Sequence, residues 1–307
     1  MKPSIKAGLR ILFSALLLAF LVWWIELDSI LVAMRSSEPL FLGAALLLLP
    51  LNLGSSVLMW WLLLCAIDPN TTLRSAAAAV FAGYSLALFT PARLGDAGTR
   101  IYYHRTHGGV QVAAALATEG IYRAVAYLTG GSIALLVAIQ SGILDSSVWT
   151  AIATAAVIAA GCSIVMAVRP SRLIGVIGRI PFASRATPHI SFLNSISGRN
   201  ISGLFLLSIA RYVVMIAQLS LLMVGFGVTA NHLHIVAGSG FVFLVKWAVP
   251  NLFFTDLGIR EGAAAFVFEQ MGGFGAAAVS AALCLYAINL VIPALLGVPQ
   301  VRKTPDS

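Results

Sequence analysis

Long apolar segments separated by short polar loops dominate the chain. A helix needs roughly 20 apolar residues to cross a bilayer core. Six segments meet that length, at residues 7–25, 40–67, 112–139, 148–168, 201–226 and 274–297. Two shorter apolar segments, 75–90 and 233–249, end directly before Pro91 and Pro250. The pattern predicts an all-α polytopic membrane protein with about six spanning helices, because the strands of a membrane β-barrel would alternate in polarity over ~10 residues.

The composition excludes a soluble protein. Of the 307 residues, 60% are hydrophobic and 10% are charged, whereas about 25% are charged in soluble domains. The net charge of +8 comes mostly from arginines in short loops, which is typical of cytoplasmic loops in a membrane protein rather than of nucleic-acid binding. We therefore expect a multi-pass protein of the cytoplasmic membrane and no nucleic-acid partner.

The loop charges favour one topology. If segment 75–90 crossed the membrane fully, the basic stretch 93–105 would lie outside, against the positive-inside rule. If it enters and returns instead, the basic loops, including residues 169–200, are all cytoplasmic. The same reasoning makes 233–272 a second re-entrant pair. We therefore predict two re-entrant helical segments, with both termini in the cytoplasm.

A short motif occurs at both breaks. Asp96-Ala-Gly98-Thr-Arg100 follows Pro91, and Asp256-Leu-Gly258-Ile-Arg260 follows Pro250. We expect each aspartate to cap the next helix and each glycine to permit the turn. The spacing of the flanking spans predicts an inverted-topology repeat within a single integral membrane domain, residues 1–307. Repeat A covers about 40–140 and repeat B about 201–297. Many transporters place a site between such repeats.

Charged residues inside apolar segments are the candidate site. Each costs at least ~2.5–3.5 kcal/mol in a membrane and usually faces a partner or a wet cavity. Arginine predominates, and its guanidinium fork suits phosphate or carboxylate. The candidate substrate-binding residues are Arg100, Arg123, Arg211 and Arg260, together with the possible carboxylate partners Asp96, Glu119, Asp256 and Glu261. We expect Asp96, Glu119 and Glu261 to orient the arginines. Glu119 and Arg123 are spaced i,i+4 and can pair on one helix face. The alternative that this pair only fixes helix packing, and binds no substrate, therefore stays open.

Catalysis is not expected. The chain carries no nucleotide-binding or hydrolase motif. His104 and His107 have no third histidine or cysteine nearby, so we interpret them as part of a solvated loop rather than a metal site. The prediction is a non-enzymatic protein without metal or cofactor.

The residues around both breaks resemble a known family. The stretch from Gly83 to Asp96, with Arg100 and Arg123, is similar to the first signature of the flippase-like transmembrane family, which includes the membrane domain of lysyl-phosphatidylglycerol synthases. Pro250 with residues 257–262 is similar to the second, although Asp256 stands where a small residue is expected. The resemblance covers most of residues 10–297. It implies inverted repeats with re-entrant helices and an activity in lipid translocation. The soluble synthase domain has no counterpart before Ser307, so lipid aminoacylation is not expected.

These observations lead to two functional hypotheses. In the first, the protein is a flippase or transporter that moves an anionic lipid, or a lipid-linked head group, across the cytoplasmic membrane. In the second, it is an accessory subunit that delivers lipid to, or scaffolds, a separate lipid synthase or glycosyltransferase. Membrane lipids are the expected partners. The sequence leaves the oligomeric state open, including a homo-oligomer.

Overall fold

The computed structural model describes residues 37–88, 90, 93–144, 147–169, 172, 175, 191–249 and 258–301. Throughout these residues the regular secondary structure is helical, without a strand. The predicted first span, 7–25, lies outside the described residues. So do Asp256 and most of the predicted basic loop 169–200.

The helices are numbered in chain order. They are α1 Pro39–Leu47, α2 Leu49–Ile67, α3 Leu73–Ala87, α4 Leu94–Tyr103, α5 Gly109–Gln140, α6 Ser147–Val168, α7 Gly198–Gly225, α8 His232–Ala248, α9 Ile259–Glu269, α10 Gly275–Tyr286 and α11 Ile292–Val301. A short 3₁₀ turn, Arg105–His107, follows α4, and a π-helical segment, Ala287–Val291, joins α10 to α11.

Five helical segments within the described residues are long and apolar enough to cross a membrane. They are Pro39–Ile67, Gly109–Gln140, Ser147–Val168, Gly198–Gly225 and Gly275–Val301. These confirm five of the spans predicted from the sequence, and the chain is a multi-pass helical membrane protein. Helices α3 and α8, with 15 and 17 residues, are shorter than the roughly 20 residues that a crossing needs. Their re-entrant course and the total of six spans stay predictions.

The two halves of the described structure repeat one order of elements. In the first half the span α1–α2 is followed by the shorter α3, the very short α4 and the long α5. In the second half α7 is followed by the shorter α8, the very short α9 and the long segment α10–α11. The inverted orientation of the halves stays a prediction.

Helix α5 lies at the centre of the packing. It contacts α8, α6, α7, α2 and α4. Small residues allow the closest approach: a Cβ at Gly131 would lie 2.6 Å from the Cβ of Leu244 on α8, as is common where membrane helices pack. A second contact joins the two halves, because α3 packs along α11 and the Ser85 hydroxyl donates to the Ala294 carbonyl at 2.6 Å.

Candidate functional site

The break between α3 and α4 is held by backbone geometry and one hydroxyl. Thr90 Oγ1 accepts from the Gly95 backbone N–H at 2.7 Å and donates to the Leu86 carbonyl at 3.0 Å. Arg93, in the left-handed region with φ 56°, is the residue that caps α4. The prediction that Asp96 caps this helix is therefore wrong. The prediction for Gly98 is also wrong, because this glycine lies inside α4 and not in the turn.

Asp96 takes part in a buried ion network instead. Arg100 binds its carboxylate with two nitrogens, Nε at 2.7 Å and Nη2 at 3.2 Å. The third nitrogen, Nη1, donates to Glu119 Oε2 at 2.8 Å. The other Glu119 oxygen accepts from Arg123 Nη2 at 2.6 Å. The predicted i,i+4 pair of Glu119 and Arg123 is thus confirmed, and it is one part of a four-residue network that joins α4 to α5.

Arg100 is enclosed on every side. It is 1% exposed, and its guanidinium lies 5.2 Å from the Trp60 ring centroid on α2. Gly83 on α3 makes room for the network, because a Cβ at that position would overlap Asp96 Oδ1 and lie 3.2 Å from its Cγ. All three Arg100 nitrogens bond to carboxylates, so this side chain has the contacts of a residue that positions the others.

Arg211 has a different environment. It is 6% exposed, and its three nitrogens donate to neutral oxygens. The acceptors are Asn52 Oδ1 at 3.0 Å, Ser56 Oγ at 3.1 Å and Tyr84 Oη at 3.2 Å. No described carboxylate lies within 4.0 Å of its guanidinium. The sequence offers four carboxylates as possible partners of the buried arginines, and among the described residues none of them pairs with Arg211.

A chain of amides extends from the Arg211 site across the two halves. Asn52 donates to Asn289 Oδ1 at 2.8 Å, and Asn289 donates to Gln218 Oε1 at 2.9 Å. Gln218 in turn donates to the Ala45 carbonyl at 2.9 Å. Asn289 lies in the π-helical segment, a local irregularity that is frequent at functional sites.

Arg93 and Tyr84 complete the site. The Arg93 guanidinium lies 5.3 Å from the centroid of the Tyr84 ring, whose hydroxyl is already bound by Arg211. The charges of Arg93 and Arg123 both act on Asp96. Arg93 is partly exposed, and the Arg123 side chain is 28% exposed. The site therefore reaches the protein surface at these two arginines.

Sequence reasoning missed the uncharged members of this site. Asn52 and Ser56 are spaced i,i+4, and Arg211 and Gln218 are spaced i,i+7. Each spacing places polar side chains on one face of an apolar helix. This pattern in the sequence could have indicated a polar site within the membrane spans. Arg93 was grouped with the cytoplasmic loop charges, and its proximity to Tyr84 has no signature in the sequence.

The second break carries a separate ion pair. Arg260 is 3% exposed, and its Nε and Nη2 donate to Glu261 Oε1 at 3.2 and 2.7 Å. Glu261 Oε2 accepts from the Gly258 N–H at 2.8 Å, and Gly258 adopts φ 101°. The predicted role of Gly258 in the turn is confirmed. Gly258 is also the residue that caps α9; Asp256, the predicted cap, lies outside the described residues.

The two breaks are related through one helix. Arg260 lies 5.6 Å from the Tyr286 ring centroid at the end of α10. Asn289, in the segment that follows, belongs to the Arg211 network. The structure thus brings Asp96, Arg100, Glu119 and Arg123 into one ion network and places Arg211 in a polar network beside it. Arg260 and Glu261 form a third group.

The histidines of the 93–107 stretch are not both in solvent. His104 is 2% exposed and lies 5.9 Å from the Trp60 ring, so the expectation of a solvated loop is wrong for this residue. Burial, together with the nearby His107 and Arg100, lowers the pKa of His104 to about 4. No group of three potential metal ligands occurs within the described ranges.

A multi-pass helical membrane protein with buried arginines beside two helix breaks is the class that fold and site define. A comparison with family models matches residues 9–297 to the lysylphosphatidylglycerol synthase TM region. The chain belongs to this family, as its two signatures predicted. No curated protein matches it.

Proposed function

We propose that the protein is a lipid flippase that moves an anionic lipid, or a lipid-linked anionic head group, across the cytoplasmic membrane. The head group passes the polar site between the two halves while the acyl or prenyl chains remain in the bilayer. The protein catalyses no covalent reaction in this proposal, needs no cofactor, and has both termini in the cytoplasm.

The observation that carries the proposal is the environment of Arg211. A guanidinium buried in a membrane span, bound only by neutral oxygens among the described residues, keeps its full positive charge. Charged groups in membrane spans are expensive and are typical of substrate or ion pathways. An anion that enters the site supplies the missing countercharge.

The geometry divides the arginines into two groups. Arg123, Arg211 and Arg93 would contact the head group, since two of them are partly exposed and the third lacks a described carboxylate partner. Arg100 and Arg260 would act as positioning residues, because their nitrogens bind carboxylates. This grouping refines the sequence hypothesis, in which all four predicted arginines bind the head group.

The matching family supports a role in lipid handling, because its name refers to the membrane region of a lipid synthase. The same match also fits the accessory-subunit hypothesis. That hypothesis predicts that the protein alone moves no lipid and that a lipid-modifying enzyme co-purifies with it.

The test is a translocation assay with the full chain in proteoliposomes. Fluorescent lipids with equal chains and either an anionic or a zwitterionic head group are placed in the inner leaflet, and their arrival outside is followed by a membrane-impermeant quencher. We expect the anionic probe to appear faster than in protein-free vesicles, and the zwitterionic probe to show no such acceleration. Equal rates with and without protein for the anionic probe would argue for the accessory role.

A further inference from the structure

We infer that Asn52 determines the charge selectivity of the site, and that Asn289 and Gln218 are positioning residues that orient the Asn52 amide. A neutral amide at position 52 holds the Arg211 guanidinium in place and leaves its positive charge for the head group. This inference rests on the proposed function, because it names the residues that set the selectivity of the same site.

The Asn52 amide meets Arg211 in a single orientation. A guanidinium has donors and no acceptor, so it pairs with the carbonyl oxygen of an amide and not with the NH2 group. Asn52 Oδ1 accepts from Arg211 Nε at 3.0 Å, which directs Nδ2 to the opposite side. There Nδ2 donates to Asn289 Oδ1 at 2.8 Å. Asn52 is 1% exposed, so the protein shields both bonds from water.

The far end of the amide chain fixes the same orientation. Asn289 Nδ2 donates to Gln218 Oε1 at 2.9 Å, and Gln218 Nε2 donates to the Ala45 carbonyl at 2.9 Å. A backbone carbonyl only accepts hydrogen bonds, and within a helix it cannot turn around. It therefore orients the Gln218 amide, which orients Asn289, which in turn orients Asn52. Every amide of the chain directs its carbonyl oxygen along the chain towards Arg211.

The chain stabilises Arg211 without neutralising it. A carbonyl oxygen carries the negative end of the amide dipole, so the guanidinium meets partial charges and no full charge. The other two described acceptors, the hydroxyl oxygens of Ser56 and Tyr84, are also neutral. Arg211 is buried, and two full charges attract each other more strongly in a buried site than in water. An anionic head group therefore gains more from Arg211 than a zwitterionic one does.

Arg100 illustrates the effect of carboxylate partners in the same protein. Its three nitrogens bind Asp96 and Glu119, which supply its countercharge from within the chain. An aspartate at position 52 would give Arg211 the same kind of partner, because aspartate has nearly the shape of asparagine. The carboxylate would pair with the guanidinium and would repel an anionic head group. The choice of amide over carboxylate at position 52 therefore sets the selectivity.

The experiment measures equilibrium binding of tail-labelled lipids to the full chain in neutral detergent by fluorescence anisotropy. The probes are anionic phosphatidylglycerol and zwitterionic phosphatidylcholine with the same acyl chains. The variants are Asn52→Asp, Asn52→Leu and Asn289→Leu, each checked for folding by gel filtration. The matched control is Asn200→Asp, which makes the same chemical change on α7, about 16 Å along the helix from Arg211.

We expect the unmodified protein and Asn200→Asp to bind phosphatidylglycerol at least about tenfold more tightly than phosphatidylcholine, which corresponds to about 1.4 kcal/mol. Asn52→Asp should bind the two lipids equally. Asn52→Leu and Asn289→Leu should bind phosphatidylglycerol several-fold more weakly but keep the preference, because the charge of Arg211 remains and only its placement is disturbed. A merely structural role would weaken both lipids in proportion in all three variants.

A folded Asn52→Asp protein that keeps the preference would overturn the selectivity role, and unchanged binding by Asn289→Leu would overturn the positioning role. Asn52→Asp also loses one amide contact, because its second oxygen faces Asn289 Oδ1. If that variant does not fold, Asn52→Leu decides, and loss of its preference overturns the inference. The predicted binding pattern without translocation by the unmodified protein would support the inference and remove the flippase proposal. Translocation of the anionic probe by Asn52→Asp at the unmodified rate would do the reverse.

Discussion

Replacing Glu119 with glutamine tests whether the ion network holds α4 against α5. The Glu119 carboxylate is fully buried and accepts from Arg100 at 2.8 Å and from Arg123 at 2.6 Å. The amide keeps the shape but turns one acceptor into a donor that faces a guanidinium. Breaking a buried pair typically costs ~3–5 kcal/mol. We expect the lower end, ~3 kcal/mol, because Arg100 keeps Asp96 and the Arg123 side chain is 28% exposed.

The assay is thermal unfolding of the purified protein in detergent, followed by intrinsic fluorescence. A loss of ~3 kcal/mol corresponds to a decrease in Tm of about 6 °C for a chain of this size class. Glu38→Gln is the matched control, because Glu38 is exposed and its side chain makes no capping hydrogen bond. If Glu119→Gln melts at the same temperature as Glu38→Gln, the network does not stabilise the helix contact and the reasoning fails.

Three further changes test other parts of the structure. Gly83→Ala should lower the free energy of unfolding by ~1–3 kcal/mol, because the added methyl overlaps the Asp96 carboxylate; an unchanged melting curve would contradict this. Arg260→Gln should destabilise the fold, because it leaves the Glu261 carboxylate without its guanidinium. Adding Glu261→Gln should restore stability, since the amide can still accept from the backbone N–H at the start of α9. A double variant no more stable than the single variant would disprove the pairing argument. Arg105→Cys, in a background without native cysteines, should react with an impermeant thiol reagent from the cytoplasmic side alone, and external labelling would remove the re-entrant topology.

The spans were predictable because the bilayer imposes a length and a polarity on each of them. Five predicted segments and five observed ones agree to within a few residues at each end. The order of short and long helices in both halves also follows from where Pro91 and Pro250 interrupt the apolar segments. These are local properties of the chain, and a sequence displays them directly.

The site was predictable only in its charged members. The ion pairs formed by Arg100, Arg123 and Arg260 involve residues one to nineteen positions apart, and the cost of burying charge makes such partners expected. The partners of Arg211 lie on α2 and α3, more than a hundred residues away. Nothing local marks Asn52 or Tyr84 as neighbours of an arginine, because their proximity arises from helix packing.

The cap of α4 was mispredicted because the contacts of Asp96 also arise from helix packing. Aspartate is a common capping residue, and the motif at both breaks suggested that role. In the first break the helix begins at Leu94, two residues before Asp96, and Arg100 binds both oxygens of the Asp96 carboxylate in a bidentate, charge-assisted contact. The helix start is left to Thr90 and to the left-handed Arg93.

The measurement that tests the central claim most directly is the rate of anionic lipid translocation by Arg211→Gln in proteoliposomes. Because the partners of Arg211 are neutral oxygens, glutamine removes the positive charge without leaving a described carboxylate unpaired, and the variant should fold. We predict that its rate falls to the level of protein-free vesicles, while Arg199→Gln retains the rate of the unmodified protein. A folded Arg211→Gln protein that moves the anionic lipid at the unmodified rate would contradict the claim that this buried charge binds the head group.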